Sequence, residues 1–163
     1  MIKVAINGFG RVGRIFFRLA YEQSELEIVA MNDLADLDNL AYLLKHDSVY
    51  RKWDKDIQVE EGNLIVNNKR IKFFQEKDPI NLPWKALDID VVVEATGFFE
   101  TYEKSKAHLE SGAKRVVISA PAKDQDQPGF SSTVLLGLNE DDLKTSKITS
   151  NGSCTTNSVY PVI

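Results

Sequence analysis

The chain has 163 residues, 43% hydrophobic and 27% charged, a size and balance that fit one globular domain with a sizeable core. A formal net charge of −4 gives no footing for nucleic acid or an anionic membrane as a partner. One cysteine excludes an internal disulfide, no His/Cys cluster has metal-ligand spacing, no stretch approaches transmembrane length, and the N-terminus lacks a signal-peptide pattern. The expectation is a cytoplasmic protein without a metal.

Residues 2–7, Ile-Lys-Val-Ala-Ile-Asn, predict a short strand running straight into Gly8-x-Gly10-x-x-Gly13. In this arrangement Gly8 permits a tight turn, Gly10 lets the backbone approach a pyrophosphate, and Gly13 lets the next helix pack closely on the strand. Apolar residues then recur at helical spacing from Arg14 to Tyr21, and the N-terminus of that helix offers N–H groups and positive dipole to phosphates. A second strand over residues 26–31 ends in Asn32-Asp33. Asp33 stands 20 residues beyond Gly13, where a carboxylate accepts hydrogen bonds from ribose hydroxyls and repels a 2′-phosphate, favouring NAD over NADP. The other reading of Asp33, an ordinary strand-end or capping residue, is outweighed by the combination of strand, glycines, helix, strand and acid.

Leu37 to Lys45 predict a second helix. Ile57, Val59, Leu64, Val66, Ile71 and Phe73 alternate with polar residues, and Gly62-Asn63 and Asn67-Asn68 mark turns. Residues 57–74 therefore read as a small antiparallel insertion in a Rossmann-like, mainly parallel α/β sheet flanked by helices. Residues 90–97 read as a strand buried on both faces, with Ala95-Thr96-Gly97 at the carboxyl edge where open α/β sheets bind ligands. Residues 103–111 predict a helix stopped by Gly112, and residues 115–119 a strand whose Ser119 faces the same crevice. Residues 123–132, rich in Asp, Gln, Gly and Ser, predict a surface loop, and residues 133–136 and 147–149 two short strands. His46 and His108 carry no local signature and read as surface or half-buried helix residues, not as bases.

Cys154 lies in Ser150-Asn151-Gly152-Ser153-Cys154-Thr155-Thr156-Asn157. A thiol among small and hydroxyl residues, where a helix can open, meets N–H groups that favour the reactive thiolate. A lone cysteine is otherwise a small buried hydrophobe, so both readings stand on these residues alone. The nucleotide motif at the other end of the chain favours the nucleophile.

Taken together, Ile6-Asn7-Gly8-Phe9-Gly10-Arg11-Val12-Gly13-Arg14, Asn32-Asp33, Glu94-Ala95-Thr96-Gly97, Gly112-Ala113-Lys114, Ile118-Ser119-Ala120-Pro121 and Ser153-Cys154-Thr155-Thr156-Asn157 resemble the phosphorylating glyceraldehyde-3-phosphate dehydrogenases, through essentially the whole chain. The resemblance implies that N–H groups of Arg11 and Val12 hold the pyrophosphate of NAD, Asp33 the adenosine ribose, and Lys77 the neighbourhood of the adenine. It places Gly8, Phe9, Gly10 and Asn32 in the same site, with Thr96, Gly97 and Phe99 bordering the cofactor and Ser119 near the nicotinamide. Cys154 matches the family's nucleophile, and Ser153 and Thr155 match residues that bind substrate or phosphate.

The chemistry the resemblance implies is glycolytic oxidation of an aldehyde through a Cys154 thioester, with hydride passing to NAD and inorganic phosphate releasing an acyl phosphate. Glyceraldehyde 3-phosphate and inorganic phosphate are then the small-molecule partners, and a homotetramer the full-length assembly. The family's base is a histidine of a second domain. Residues 1–153 accordingly read as the NAD-binding domain, residues 154–163 as the start of a truncated catalytic domain, and the chain alone is expected to be inactive. Gly152, Ser158 and Tyr160 depart from the family's usual alanine, cysteine and small residue, and Tyr50-Arg51-Lys52-Trp53 from its usual His-Gly. Two alternatives stand beside this reading: an NAD-binding module without catalysis, and the related erythrose-4-phosphate dehydrogenases, which commonly carry Glu in place of Asp33.

Overall fold

In chain order the residues form β1 (Ile2–Asn7), α1 (Arg11–Tyr21), β2 (Leu26–Asn32), α2 (Leu37–Lys45), β3 (His46–Asp47), β4 (Arg51–Lys52), β5 (Ile57–Glu60), β6 (Asn63–Val66), β7 (Lys69–Phe74), β8 (Val91–Glu94), α3 (Tyr102–Glu110), β9 (Arg115–Ile118), β10 (Ser131–Thr133), β11 (Ile148–Ser150) and α4 (Cys154–Val159). This computed structural model describes residues 1–162. Nine strands make one sheet in the order β10-β11-β9-β8-β1-β2-β7-β6-β5, while β3 and β4 pair separately as a short antiparallel ribbon. Every pairing from β10 across to β7 is parallel, and only β6 and β5 run antiparallel to their neighbours. The fold is the expected Rossmann-type α/β arrangement. The insertion at residues 57–74 is a three-stranded antiparallel meander whose last strand joins the main sheet beside β2.

Burial on both faces explains the nearly continuous apolar strands. Side chains alternate across β1, so Ile6 packs with Phe9, Phe17, Met31, Leu40 and Leu44 on one face, while Ala5 packs with Ala30, Trp84, Ile89 and Val92 on the other. Fully burying one such aliphatic side chain is worth about 1.5–3 kcal/mol, so this double-sided core fixes the strand register. Helix α2 is capped by the Asp36 carboxylate, which accepts from the Asn39 N–H, and α3 by the Thr101 hydroxyl, which accepts from Lys104 N–H.

Two sequence expectations need correction. The strand expected at residues 133–136 lies at Ser131–Thr133, with Ser131 and Ser132 buried in the sheet and not part of a surface loop. The Asn139 side chain ends it early: its Oδ1 accepts from Leu135 N–H at 2.9 Å and its Nδ2 donates to Thr133 O at 2.8 Å, replacing the next ladder partners. His108 is neither surface nor half-buried. It is fully buried on the inner face of α3, in the company of Tyr102 and Ser105.

Candidate nucleotide-binding site

Parallel strands put all their carboxyl ends on one edge, and here each chain segment leaving that edge is tied to the neighbouring strand. Asp33 N–H donates to Phe74 O, Gly8 N–H to Asn32 O, Ala95 N–H to Asn7 O, Ser119 N–H to Glu94 O, Asn151 N–H to Ile118 O, and Val134 N–H to Ser150 O, at 2.7 to 3.1 Å. The residues singled out from the sequence therefore emerge side by side from β2, β1, β8, β9 and β11.

The glycine loop follows from three local constraints. Gly8 has φ +93°, and a Cβ there would lie 2.5 Å from Thr96 N, so the residue needs both left-handed freedom and the absence of a side chain. A Cβ on Gly13 would lie 2.1 Å from Gly8 O, which is how closely α1 crosses its own entry loop. At Gly10 a Cβ would meet nothing within 4 Å, leaving open space beside the backbone. Gly10 caps α1 without any side-chain bond, and the first turn carries no acidic residue. The first-turn N–H groups thus lack intrahelical partners at the positive end of an 11-residue helix, a fit for an anionic pyrophosphate.

A cavity of about 370 Å³ lies over this edge, lined by Asn7, Gly8, Gly10, Asn32, Asp33, Leu34, Glu76, Lys77, Ala95, Thr96, Phe98 and Phe99. Of the residues singled out from the sequence, it gathers Gly8, Gly10, Asn32, Asp33, Lys77, Thr96 and Phe99. Phe9 is in the core instead, edge-on to Phe17 at 5.4 Å between ring centroids, and only its N–H reaches the site. Arg11 and Val12 are exposed at the helix start, Gly97 is an exposed turn residue at φ +77°, and Ser119 is half-buried beyond β9.

Asp33 bridges two loops: Oδ2 accepts from Phe9 N–H at 2.6 Å and Oδ1 from Ala35 N–H at 2.9 Å, leaving lone pairs on both oxygens. Beneath it, Arg14 donates to Phe9 O at 2.9 Å. Burial pulls the Arg14 guanidinium below its ordinary value, against the opposing pull of Asp47 and Asp33.

Behind the cavity runs a buried polar chain in which only Asn32 had been given a role on sequence grounds. Trp84 Nε1 can only donate, so its 3.0 Å bond makes His108 Nδ1 an acceptor. His108 Nε2 then carries the proton and donates to Glu94 Oε2 at 3.0 Å. Asn7 Nδ2, 3.4 Å from that Nε2, faces another donor and bonds instead to Glu94 Oε2 at 2.6 Å. Asn32 Nδ2 donates to Asn7 Oδ1 at 2.7 Å and to Glu76 O at 2.9 Å. One sequence signal could have found this chain: a carboxylate closing the apolar run of β8 must be buried, and a buried carboxylate needs donors.

Cys154 is exposed and free, at the first position of α4, outside the cavity lining. The buried-hydrophobe reading of this residue is therefore set aside. Ser153 caps the helix, its Oγ accepting from Thr156 N–H at 2.9 Å and lying 2.7 Å from Thr156 Oγ1, while Thr155 is exposed. Asn157 Nδ2 donates to Asn151 O at 2.7 Å and Ser153 O at 3.0 Å, closing the loop before the thiol. Ser150 Oγ donates to Ala120 O at 2.8 Å and accepts from Gly152 N–H at 3.1 Å, which joins this loop to the segment after β9. Tyr160, where a small residue was expected, directs its hydroxyl to Leu136 O. Among the described residues no group of three or more His, Cys, Asp or Glu could hold a metal, and no helix is long and apolar enough to cross a membrane.

Comparisons with known proteins give the family. Residues 2–102 match a family model described as glyceraldehyde 3-phosphate dehydrogenase, NAD binding domain. The chain is 50% identical over 166 aligned positions to a glyceraldehyde-3-phosphate dehydrogenase of Thermotoga maritima, covering 100% of this chain and 48% of that protein. It is 49% identical over 161 positions to glyceraldehyde-3-phosphate dehydrogenase A of Escherichia coli K12, covering 99% and 47%, and 48% identical over 161 positions to the Salmonella typhimurium protein, again covering 99% and 47%. The chain spans about half the length of the curated relatives it matches.

Proposed function

The chain belongs to the glyceraldehyde-3-phosphate dehydrogenase family and carries its NAD-binding domain, and from that premise we propose that it is the NAD-binding part of a phosphorylating aldehyde dehydrogenase of glycolysis. The observation that carries the reading is the glycine loop closed on Asp33 and Thr96 over one cavity, at the uncapped start of α1. In this reading the N–H groups of Arg11 and Val12 hold the pyrophosphate and Asp33 the adenosine ribose. Lys77 flanks the adenine, Asn32, Thr96, Gly97 and Phe99 border the cofactor, and Ser119 stands toward the nicotinamide. Phe9 contributes its N–H, which holds the Asp33 carboxylate in place.

The bound dinucleotide supplies a hydride acceptor. Cys154 Sγ, as thiolate, adds to the aldehyde carbon and pushes the carbonyl electrons onto oxygen, giving a hemithioacetal. Once oxidised, the acyl group stays on Sγ as a thioester, until inorganic phosphate attacks it and Sγ departs as thiolate. Ser153 and Thr155, flanking the thiol, bind the phosphate of glyceraldehyde 3-phosphate or the attacking phosphate. A base must take the hydroxyl proton. His108 has both ring nitrogens engaged by Trp84 and Glu94, and His46 lies at the end of α2 with its ring 4.7 Å from that of Tyr42. As the family resemblance implies, we assign the base to a histidine of a second domain, place the domain boundary at residues 153/154, and expect the chain alone not to turn over. The full-length protein is read as a cytoplasmic homotetramer.

The test supplies in trans the half of a relative that this chain does not span, with aldehyde, phosphate and NAD⁺, and follows NADH absorbance. Turnover that disappears in Cys154→Ser supports the reading. A complex that forms and holds NAD⁺ yet oxidises no aldehyde would leave a nucleotide-binding module. Faster turnover of erythrose 4-phosphate than of glyceraldehyde 3-phosphate would move the substrate.

A further inference from the structure

We infer that Glu94 is a positioning residue for the nucleotide site: its buried carboxylate orients Thr96 and, through the Thr96 hydroxyl, the turn at residues 95–98 that walls the cavity. The inference rests on the NAD-site reading above and adds to it a residue outside the cavity lining. Glu94 is 2% exposed at the end of β8. A carboxylate that deep in a sheet is tolerated only when its lone pairs are used. Four donors converge on it. Asn7 Nδ2 and His108 Nε2 reach Oε2 at 2.6 and 3.0 Å, while Thr96 N–H and Thr96 Oγ1–H reach Oε1 at 2.7 and 2.5 Å. Among the described residues no Lys or Arg pairs with it.

The two oxygens have different neighbourhoods. Oε2 faces the core, and its donors are held from behind: Trp84 fixes the His108 tautomer, and Asn32 holds Asn7. Oε1 faces the cavity wall. Because the Thr96 hydroxyl hydrogen is directed at Oε1, the hydroxyl oxygen acts only as acceptor, and it takes Phe98 N–H at 3.1 Å. Two amides of the turn are thereby tied to one carboxylate, one directly and one through a single hydroxyl. The same chain extends to the opposite wall, where Asn32 Oδ1 accepts from Glu76 N–H at 2.8 Å, immediately before Lys77. The Oε2 donors lie in the core, whereas both Oε1 donors belong to the turn, so the second oxygen links the buried carboxylate to the wall of the site.

The test compares the NAD-free and NAD⁺-titrated chain with Glu94→Gln, whose amide must turn its NH₂ toward donors on one side. Backbone order parameters of residues 96–98 should fall from about 0.85 toward 0.6 while those of β1 and β9 hold. The Kd for NAD⁺ should rise at least tenfold. Unchanged order at residues 96–98, or a loss spread evenly over the sheet, overturns the inference. So does a Kd within twofold of the parent. A parent chain that binds no NAD⁺ sinks the site reading instead, and the order parameters still decide the role of Glu94. If Glu94→Gln does not fold, Thr96→Val keeps the Oε2 bonds and breaks only the hydroxyl link; loosening confined to residues 97–98 supports the relay, and unchanged order there overturns it.

Discussion

Two alanine substitutions within one motif should separate folding from binding. Gly13→Ala places a Cβ 2.1 Å from Gly8 O, 3.1 Å from Gly8 C and 3.3 Å from Ile6 Cγ2. The first two are backbone atoms that cannot swing aside, so α1 must lift off β1 by about an ångström to reach ordinary contact. Overpacking of this kind costs about 1–3 kcal/mol, with the rigid obstacle placing it at the upper end. Ala in place of Gly inside a helix returns about 1 kcal/mol. The net is a loss of about 2 kcal/mol, and at about 2–4 °C per kcal/mol for a chain of this size the melting midpoint falls by about 4–8 °C. Gly10→Ala meets nothing within 4 Å and starts from φ −68°, leaving only the poorer N-cap propensity of Ala, so its midpoint should fall by no more than about 2–4 °C, a change of about 1 kcal/mol or less. Its methyl group instead occupies the space a pyrophosphate needs, and the Kd for NAD⁺ should rise at least about tenfold, which is about 1.4 kcal/mol. Thermal melts and calorimetric titrations of both variants decide it. A Gly13→Ala protein as stable as the parent, or a Gly10→Ala protein that binds NAD⁺ unchanged, refutes the packing argument.

Asp33→Ala removes the carboxylate and leaves Phe9 N–H without its partner; NAD⁺ binding should weaken about tenfold and the preference over NADP⁺ narrow, and an unchanged NAD⁺/NADP⁺ ratio in titrations would count against a ribose role. Trp84→Phe leaves His108 Nδ1 with no donor in a sealed environment, and denaturant unfolding should record a loss of about 1–3 kcal/mol plus the packing deficit, where a neutral outcome would mean the tautomer is not held as described. The Asp90 carboxyl is held below its ordinary value first by Lys114 and then by the Lys3 N–H. A depressed folded value means that this stabilisation is present above the unfolded carboxyl's value of about 3.9 and disappears as pH falls through the folded one, so Asp90→Asn should flatten the decline of melting temperature below about pH 4. An identical acid slope in the variant would remove Asp90 from the account. Finally, the exposed Cys154 should be alkylated by iodoacetamide in the native chain to one adduct per molecule by mass spectrometry, whereas labelling only after denaturation would contradict its placement.

What was legible in the sequence was local. The run from β1 through the glycines and α1 to Asp33 is one contiguous βαβ unit, so spacing alone carried both its geometry and its expected ligand. β8 was legible because a strand covered on both faces has no polar alternation to confuse it. Helix α2 was legible to its ends, Leu37 to Lys45, and the structure adds the Asp36 cap that starts it. The buried polar chain was not legible, because His108 meets Trp84, Glu94 and Asn7 only when four separate segments pack together, and a histidine on a helix looks the same in either environment. The shift of β10 was hidden for a related reason. A side chain further along, Asn139, competes with the ladder for the same backbone groups. Phe9, counted among the cofactor residues, uses its ring for the core and only its amide for the site.

The central claim, that the carboxyl edge from Gly8 to Asp33 and Thr96 is an NAD site, is tested most directly by calorimetric titration of the folded chain with NAD⁺ and, in parallel, NADP⁺. The account predicts saturable one-to-one binding of NAD⁺ and at least tenfold weaker binding of NADP⁺, because Asp33 repels a 2′-phosphate. Equal or stronger binding of NADP⁺, or no binding of either by a folded chain, would contradict it.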